Sequence, residues 1–212
     1  MDANRLASVI TEVVTEFFQG KLPLQSHIPV GVSNRHLHLG KADMEVLFGH
    51  NKLTHYKELG QPGQYAAQET VTIVGASGVI EKVRVLGPLR DKTQVEISVS
   101  DAIKLGIAPP VRDSGILDGS AGATLVGPKG SVTLRDGVIL AARHIHMHTE
   151  DAFRFGLSDG AVVKVQTGGS RGLTYENVVV RVNPQYSLEF HVDIDEANAA
   201  GLKTGDEVKI IA

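Results

Sequence analysis

Two short stretches of this sequence place histidines where they could bind a metal ion together. In each, an arginine precedes two histidines that are separated by one residue: Arg35-His36-Leu37-His38 and Arg143-His144-Ile145-His146. Residues i and i+2 of a β-strand project from the same face, so each His-x-His unit offers two imidazoles to one point in space. Imidazole is a common ligand of zinc and other transition metals. The duplicated motif therefore predicts two metal sites.

The sequence around the two motifs indicates an internal repeat. Aligning the motifs also aligns Asp43 with Asp151. A second alignment, of the short helical segments that begin at Ser100 and Asp195, places Glu96 on His191. Each half then offers three groups that can bind a metal: His36, His38 and Glu96 in the first half, and His144, His146 and His191 in the second. Three protein ligands with an open position are typical of catalytic zinc.

A second interpretation of these third residues stays open. Taken singly, Glu96 is typical of a solvated strand residue and His191 of a hydrogen-bonded core histidine, and only the symmetry favours metal binding. If both are ligands, one site carries an anionic group and the other only imidazoles. That difference predicts greater Lewis acidity at the His144 site.

Composition bounds the class of protein. The 212 residues include no cysteine, so disulfides and thiolate ligands are excluded and any metal must be bound by histidines and carboxylates. The net charge of −3 gives no reason to expect general nucleic-acid binding. The sequence has no apolar run of membrane-spanning length and no secretory signal pattern, which predicts a cytoplasmic protein.

The elements that must position the motifs are mostly strands. Abundant valine, isoleucine and glycine predict a mostly β fold of short strands, with a strand over residues 94–99 and a loop over residues 59–67. The second histidine strand is expected to end near Met147, leaving His148 at the entry of a short helix. Residues 2–18 have the 3.6-residue apolar period of an amphipathic helix, which either docks on its own domain or binds another protein.

Five stretches carry a resemblance to a known family. In order along the chain they are GVSNRHLHL (residues 31–39), LGPLR (86–90), QVEIS (94–98), ARHIHM (142–147) and EFHVD (189–193). Together they resemble the PduL-type phosphotransacylases, or phosphate propanoyltransferases, of bacterial microcompartments. The resemblance extends from about residue 28 to the end of the chain.

The resemblance implies a fold and an activity. The fold is two similar small β-barrels capped by short helices, and the reaction interconverts a short-chain acyl-CoA plus phosphate with an acyl phosphate plus CoA. The resemblance implies two zinc ions, one bound by His36, His38 and Glu96 and the other by His144, His146 and His191. It also implies that Arg90 is catalytic and faces the phosphate. The implied CoA contacts are Val32, Ser33, Asn34, Lys57, Arg84, Leu86 and Asn198.

The resemblance further implies how the chain is divided. Residues 1–20 would form the amphipathic helix, a possible encapsulation peptide that binds microcompartment shell or core proteins. Residues 21–34 plus 142–212 would form the first barrel domain, and residues 35–141 the second. A homodimer inside a microcompartment is expected from the resemblance alone.

Two other classes of function remain open at this point. A dinuclear metallohydrolase would also use two metals, but it normally takes several aspartate ligands and a bridging carboxylate, which the sequence does not offer. A non-enzymatic β-barrel module could use the same histidines for a structural or transported metal.

Overall fold

The computed structural model describes Thr11 and residues 27–211, which form two closed β-barrels and four short helices. The prediction of a mostly β fold is confirmed. The predicted helix over residues 2–18 lies outside the described residues, apart from Thr11. Within the described part of the chain, no helix has both the length and the apolar character that crossing a membrane requires.

Barrel one joins the first described strand to the last five strands, all numbered in chain order. Around the barrel these are β1 (His27–Ser33), β13 (Glu189–Asp193), β10 (His144–Met147), β12 (Thr174–Val182), β11 (Val162–Gln166) and β14 (Glu207–Ile211). Antiparallel pairing of β14 with β1 closes the ring.

Barrel two contains the intervening strands. Around its ring these are β2 (His36–His38), β6 (Gln94–Glu96), β9 (Ser131–Ala141), β8 (Ala121–Val126), β4 (Tyr65–Val74) and β5 (Val79–Gly87). Strand β8 closes the ring because it pairs with both β4 and β9. Two shorter strands, β3 (His55–Glu58) and β7 (Val111–Arg112), add to β4 and β9.

The two barrels have the same topology. The histidine strands β2 and β10 each pair parallel with one neighbour, β5 or β12, and antiparallel with the other, β6 or β13. The chain passes from barrel one to barrel two through Asn34 and Arg35, and returns through Ala142 and Arg143. Each Arg-His-x-His motif therefore begins at a crossover between the barrels.

Alternation along the histidine strands sends the histidines and the core residues to opposite faces. Leu37 and Ile145, the central residues of the two His-x-His units, have no exposed surface and lie in the cores of barrel two and barrel one. Because successive strand residues point to opposite faces, the flanking histidines project away from those cores. Burial of the central apolar side chain, worth about 2 kcal/mol, thus fixes the direction of both imidazoles.

Four short helices follow strands of the barrels. They are α1 (Lys41–Phe48), α2 (Val99–Leu105), α3 (Thr149–Phe155) and α4 (Ile194–Ala200), and each ends at a left-handed glycine. Helices α2 and α4 both begin with a capping box, formed by Ser98 with Asp101 and by Asp193 with Glu196. Helix α4 directly follows β13, which carries His191, and α2 begins shortly after β6, which carries Glu96.

The structure corrects two predicted boundaries and adds one strand. The predicted strand over residues 94–99 ends at Glu96, because Ser98 caps helix α2. The predicted loop over residues 59–67 ends earlier, because β4 begins at Tyr65, and β3 was not predicted. By contrast, the prediction for the second motif is confirmed: β10 ends at Met147 and His148 is the N-cap of α3.

Candidate metal centre and active site

The first histidine cluster lies on barrel two. His36 of β2 is directly opposite Glu96 of β6, with 3.5 Å between His36 Nε2 and Glu96 Oε2. One ligand atom from each of His36, His38 and Glu96 lies within 4.8 Å of the others. His36 Nδ1 donates to the carbonyl oxygen of Asn34 at 2.9 Å, which leaves the Nε2 lone pair free. Two imidazoles and a carboxylate at this spacing form a donor set that suits zinc.

The second cluster repeats this arrangement on barrel one. His144 of β10 is directly opposite His191 of β13, and the ring centroids of these two residues and His146 are 4.6 to 5.1 Å apart. His144 Nδ1 donates to the carbonyl oxygen of Ala142 at 2.8 Å, again two residues back along the chain. The register therefore places Glu96 and His191 at equivalent positions, as the alignment of the repeats suggested.

Burial keeps three of the histidine side chains neutral. It lowers the pKa of His38 to about 2 and that of His146 to about 3, and it lowers the pKa of His144 well below its usual value. Neighbouring positive charges act in the same direction, Arg90 on His38 and Arg181 on His144. Neutral imidazoles are the form that binds metals.

Two buried ring nitrogens without a hydrogen-bond partner bear on whether a metal fits the clusters. Within residues 27–211, Nδ1 of His38 and Nδ1 of His146 are buried and have no hydrogen-bond partner. Buried polar atoms are rarely left unpaired, so a bound ion or water would satisfy His146 Nδ1. His38 Nε2 accepts from Arg90, so His38 Nδ1 carries the ring proton and would donate to a water. The donor types and the spacing of the ligand atoms agree with a metal at the first cluster. At the second cluster the donor types alone agree with one.

A carboxylate that sequence reasoning did not consider lies beside the second cluster. Glu189 Oε2 lies 2.8 Å from His191 Nε2 and also accepts a hydrogen bond of 2.9 Å from Gln61 Nε2. Burial would raise the pKa of Glu189, but the hydrogen bonds from His191 and Gln61 outweigh it and hold that pKa below its usual value. A carboxylate thus lies at both clusters: Glu96 is one of the three predicted ligands of the first, and Glu189 is a hydrogen-bond partner of His191 in the second.

Arg90 lies beside the first cluster. Its guanidinium donates from one terminal nitrogen to His38 Nε2 at 2.8 Å and from the other to Ser114 Oγ at 3.1 Å. Burial is the main cause that lowers the Arg90 pKa, and the charge of Arg181 lowers it further while Glu96 opposes the change. The guanidinium is thus partly desolvated and directed toward the histidines.

Arg181 is a site residue that sequence reasoning missed. It lies on β12 directly opposite His146, and it donates to Asp113 Oδ1 at 2.9 Å. Its charge influences both Arg90 and the second cluster. In the sequence Arg181 is one polar residue in a valine-rich strand, and only the pairing of β12 with β10 reveals its position. Tyr186, whose ring lies 4.3 Å from that of His146, was missed for the same reason.

An open cleft between the barrels brings residues of the two clusters together. It is lined from both crossovers and both ligand strands by Ser33, Asn34, Arg35, His36, Glu96, Ile97, Ala141, Ala142, His144, His191, Val192 and Asp193. Of the residues predicted to contact CoA, Ser33 and Asn34 are part of this lining. Both clusters therefore face space that a single substrate could occupy.

The remaining residues predicted to contact CoA lie elsewhere. Lys57 is exposed on β3, and Arg84 and Leu86 lie on β5; these two strands lie on either side of β4. Arg84 donates to two backbone carbonyls of β4, and its guanidinium carbon is 5.2 Å from the ring centroid of Tyr56. Asn198 is exposed on α4.

Comparison with known proteins identifies the family. Residues 29–203 match the family described as phosphate propanoyltransferase. The chain is 55% identical over 204 residues to the phosphate propanoyltransferase of Thermotoga maritima, covering 95% of this chain and 97% of that protein. It is 50% identical over 202 residues to the protein of that name from Salmonella typhimurium, covering 95% and 93%. For the one from Rhodobacter capsulatus, identity is 55% over 184 residues, or 86% of each chain.

Fold, cleft and matches together define an acyltransferase built from two similar β-barrels. The chain belongs to the phosphate propanoyltransferase family.

Proposed function

We propose that this enzyme transfers a propanoyl or acetyl group between CoA and phosphate, at a cleft that both barrels and two zinc ions form. An oxygen of hydrogen phosphate bonds to the carbonyl carbon of acyl-CoA, the carbon–sulfur bond breaks, and CoA leaves as a thiolate. The proton that the phosphate group gives up balances the one that the thiolate takes up, through solvent. The acyl phosphate is the second product. The observation that carries the proposal is that histidine clusters from different barrels face one cleft, with the Arg90 guanidinium 2.8 Å from His38.

The two clusters would hold the zinc ions. His36, His38 and Glu96 would bind one ion, and His144, His146 and His191 the other. Bound zinc supplies Lewis acidity toward a carbonyl or phosphoryl oxygen. The protein keeps His38, His144 and His146 neutral by burial, which lowers their pKa values. It orients His36 and His144 through their bonds to backbone carbonyls.

Arg90 would bind the phosphate. Its planar group can donate to two phosphate oxygens at once, and its partial burial strengthens that contact relative to water. Arg181, whose charge acts on Arg90 from the other barrel, is placed to share the same anion. Two guanidinium groups would offset the negative charge of phosphate, which is repelled by the developing oxyanion, and would hold phosphate against the thioester carbon.

The predicted CoA contacts would divide into two groups. Ser33 and Asn34, with Val32 before them, would contact the part of CoA that enters the cleft. Lys57 and Arg84 offer positive charge, with Leu86 as an apolar neighbour, and Asn198 offers an amide on α4. Cations on this side of barrel two suit the phosphates of CoA.

An assay of CoA release tests the proposed reaction. Purified enzyme is given propanoyl-CoA with and without phosphate, and free thiol and acyl phosphate are both measured. We expect thiol release only with phosphate, in a 1:1 ratio to acyl phosphate. Release that does not depend on phosphate would instead indicate a hydrolase, and no release at all would favour a non-enzymatic metal-binding module.

The remaining features are proposed on the resemblance. We propose that residues 21–34 plus 142–212 and residues 35–141 are the two barrel domains, that the enzyme is a homodimer, and that residues 2–18 direct it into a bacterial microcompartment. Deleting residues 2–18 should leave activity intact and abolish co-purification with shells. Sedimentation of the purified chain reports its oligomeric state.

A further inference from the structure

The strand register identifies an equivalent position in each barrel that neither cluster includes. In barrel two, His38 lies directly opposite Gln94, and in barrel one His146 lies directly opposite Glu189. Gln94 and Glu189 therefore occupy the same place in the repeat, two residues before Glu96 and His191. On each strand the two side chains share a face.

Gln94 with Glu96, and Glu189 with His191, form pairs that each contain one carboxylate, but at different positions. In barrel two the order is amide then carboxylate, and Gln94 Nε2 lies 2.5 Å from Glu96 Oε1. In barrel one the order is carboxylate then imidazole, and Glu189 Oε2 lies 2.8 Å from His191 Nε2. In both barrels the two residues therefore contact each other. The carboxylate is the second residue of the pair in barrel two and the first in barrel one.

The Glu189 carboxylate is held in place by barrel two. Gln61 donates to it, and the amide of Gln61 is itself fixed because it donates to the carbonyl oxygen of Ser187 and accepts from the Ser187 N–H. The carboxylate also lies against the backbone of Gly31 and Gly60, where a Cβ atom would come within 2.7 and 2.8 Å of Glu189 Oε1. A side chain used only for solubility would not be enclosed in this way.

We propose that Glu189 is a positioning residue of the barrel-one metal site, which rests on the proposed function above. An ionised carboxylate only accepts, so its contact with Nε2 fixes the His191 proton on that nitrogen and leaves the Nδ1 lone pair available. It also fixes the orientation of the ring and increases the basicity of the imidazole. Glu189 and Gln61 thereby link the metal site of one barrel to a loop of the other.

Metal retention by variants of the full chain tests this role. Wild type, Glu189→Ala and Glu189→Gln are loaded with zinc, dialysed against a graded series of chelator concentrations, and assayed for zinc per chain. We expect Glu189→Ala to lose one of two zinc ions at chelator concentrations about 10- to 100-fold lower than wild type does, and the other ion to be unaffected. Glu189→Gln should lose the same ion at intermediate concentrations, because the amide keeps the shape but not the charge.

A matched control and the contrary outcomes separate this proposal from the previous one. Glu176→Gln removes an exposed barrel-one carboxylate that pairs with Lys164, and this variant should retain both ions like wild type. Wild-type retention by both Glu189 variants would overturn the role of Glu189 and leave the proposed function intact. Failure of the wild-type chain to retain two zinc ions would overturn the metal sites themselves. If Glu189→Ala does not fold, Glu189→Gln alone decides between these results.

Discussion

Arg35 donates its Nε–H to both carboxylate oxygens of Asp101, at 2.8 and 2.9 Å. Arg143 makes the equivalent ion pair with Glu196 at 2.8 Å. Each acid is the third residue of its helix and closes the capping box of that helix. The arginine of each Arg-His-x-His motif thus connects a crossover between the barrels to the helix that follows the neighbouring ligand strand, β6 or β13. The motif alone does not reveal this structural role.

Replacing Arg35 by alanine should destabilise the protein. The side chain of Asp101 is only 5% exposed, so its carboxylate would remain buried after losing its charged partner. We expect the free energy of unfolding in urea to fall by about 1–3 kcal/mol. Lys92→Ala, which breaks an exposed pair with Asp118, is the control and should cost at most about 0.5 kcal/mol. Equal effects of the two substitutions would contradict a stabilising role of the ion pair between Arg35 and Asp101.

Replacing Arg90 by lysine should weaken the use of phosphate. An ammonium group is a point charge and cannot reproduce the two directions in which Arg90 contacts His38 and Ser114. We expect kcat/KM for phosphate to fall by about 10-fold or more, corresponding to at least about 1.4 kcal/mol of transition-state stabilisation. Arg135→Ala, on an exposed part of barrel two, should have wild-type kinetics. Unchanged phosphate kinetics in an Arg90→Lys enzyme that retains its zinc would exclude the role.

Removing the metals should lower thermal stability. Ions that bind only the folded chain stabilise it by about 2.7 kcal/mol at 100 times the dissociation constant. For a chain of this size, we expect chelation to lower the midpoint of thermal unfolding by about 5–10 °C, and added zinc to restore it. His50→Ala alters an exposed histidine outside both clusters and should keep the full shift. An unfolding midpoint that is insensitive to chelator would count against both sites.

Replacing Gly31 by alanine should disturb the barrel-one cluster. The new Cβ atom would lie 2.7 Å from Glu189 Oε1, so the carboxylate must shift from the position in which it contacts His191. We expect this variant to lose zinc at lower chelator concentrations than wild type, as Glu189→Ala does. Gly168→Ala is the control, because no atom lies within 4 Å of its added Cβ. Identical zinc retention by the two alanine variants would show that Glu189 tolerates the shift.

Stability at alkaline pH should depend on Tyr175. Burial, aided by the charge of Glu196, raises the pKa of the Tyr175 hydroxyl to about 12, and the hydroxyl donates to the Glu196 carbonyl oxygen. Between about pH 10 and pH 12 the unfolded chain loses this proton and the folded chain keeps it, so stability falls as pH rises, by up to about 1.4 kcal/mol per pH unit.

The measurement compares urea unfolding of wild type and Tyr175→Phe at neutral pH and near pH 11. At neutral pH the variant should lose only the hydrogen bond, about 1 kcal/mol. Near pH 11 the difference should shrink or reverse, because phenylalanine cannot ionise. Tyr56→Phe, at a side chain that is 63% exposed, should follow wild type at both pH values. A difference that does not change with pH would contradict the raised pKa.

Local patterns made part of this protein predictable. The His-x-His units could be interpreted from sequence because i and i+2 share a strand face whatever the strand pairs with. The entry of α3 at His148 could be predicted from short-range signals, and the same holds for the helix end at Gly106, where the backbone is left-handed. The equivalence of Glu96 and His191 was also visible, because duplication preserved the capped helix that follows each strand.

Tertiary structure alone decided how the site is completed. Whether Glu189 contacts a ligand, and whether Arg181 lies opposite His146, depends on strand register between segments that are far apart in the chain. Register leaves no local trace, because a strand carries the same alternation whichever neighbour it pairs with. The sequence therefore determined which side chains can bind a metal, and the closure and juxtaposition of the two barrels determined which charges surround them.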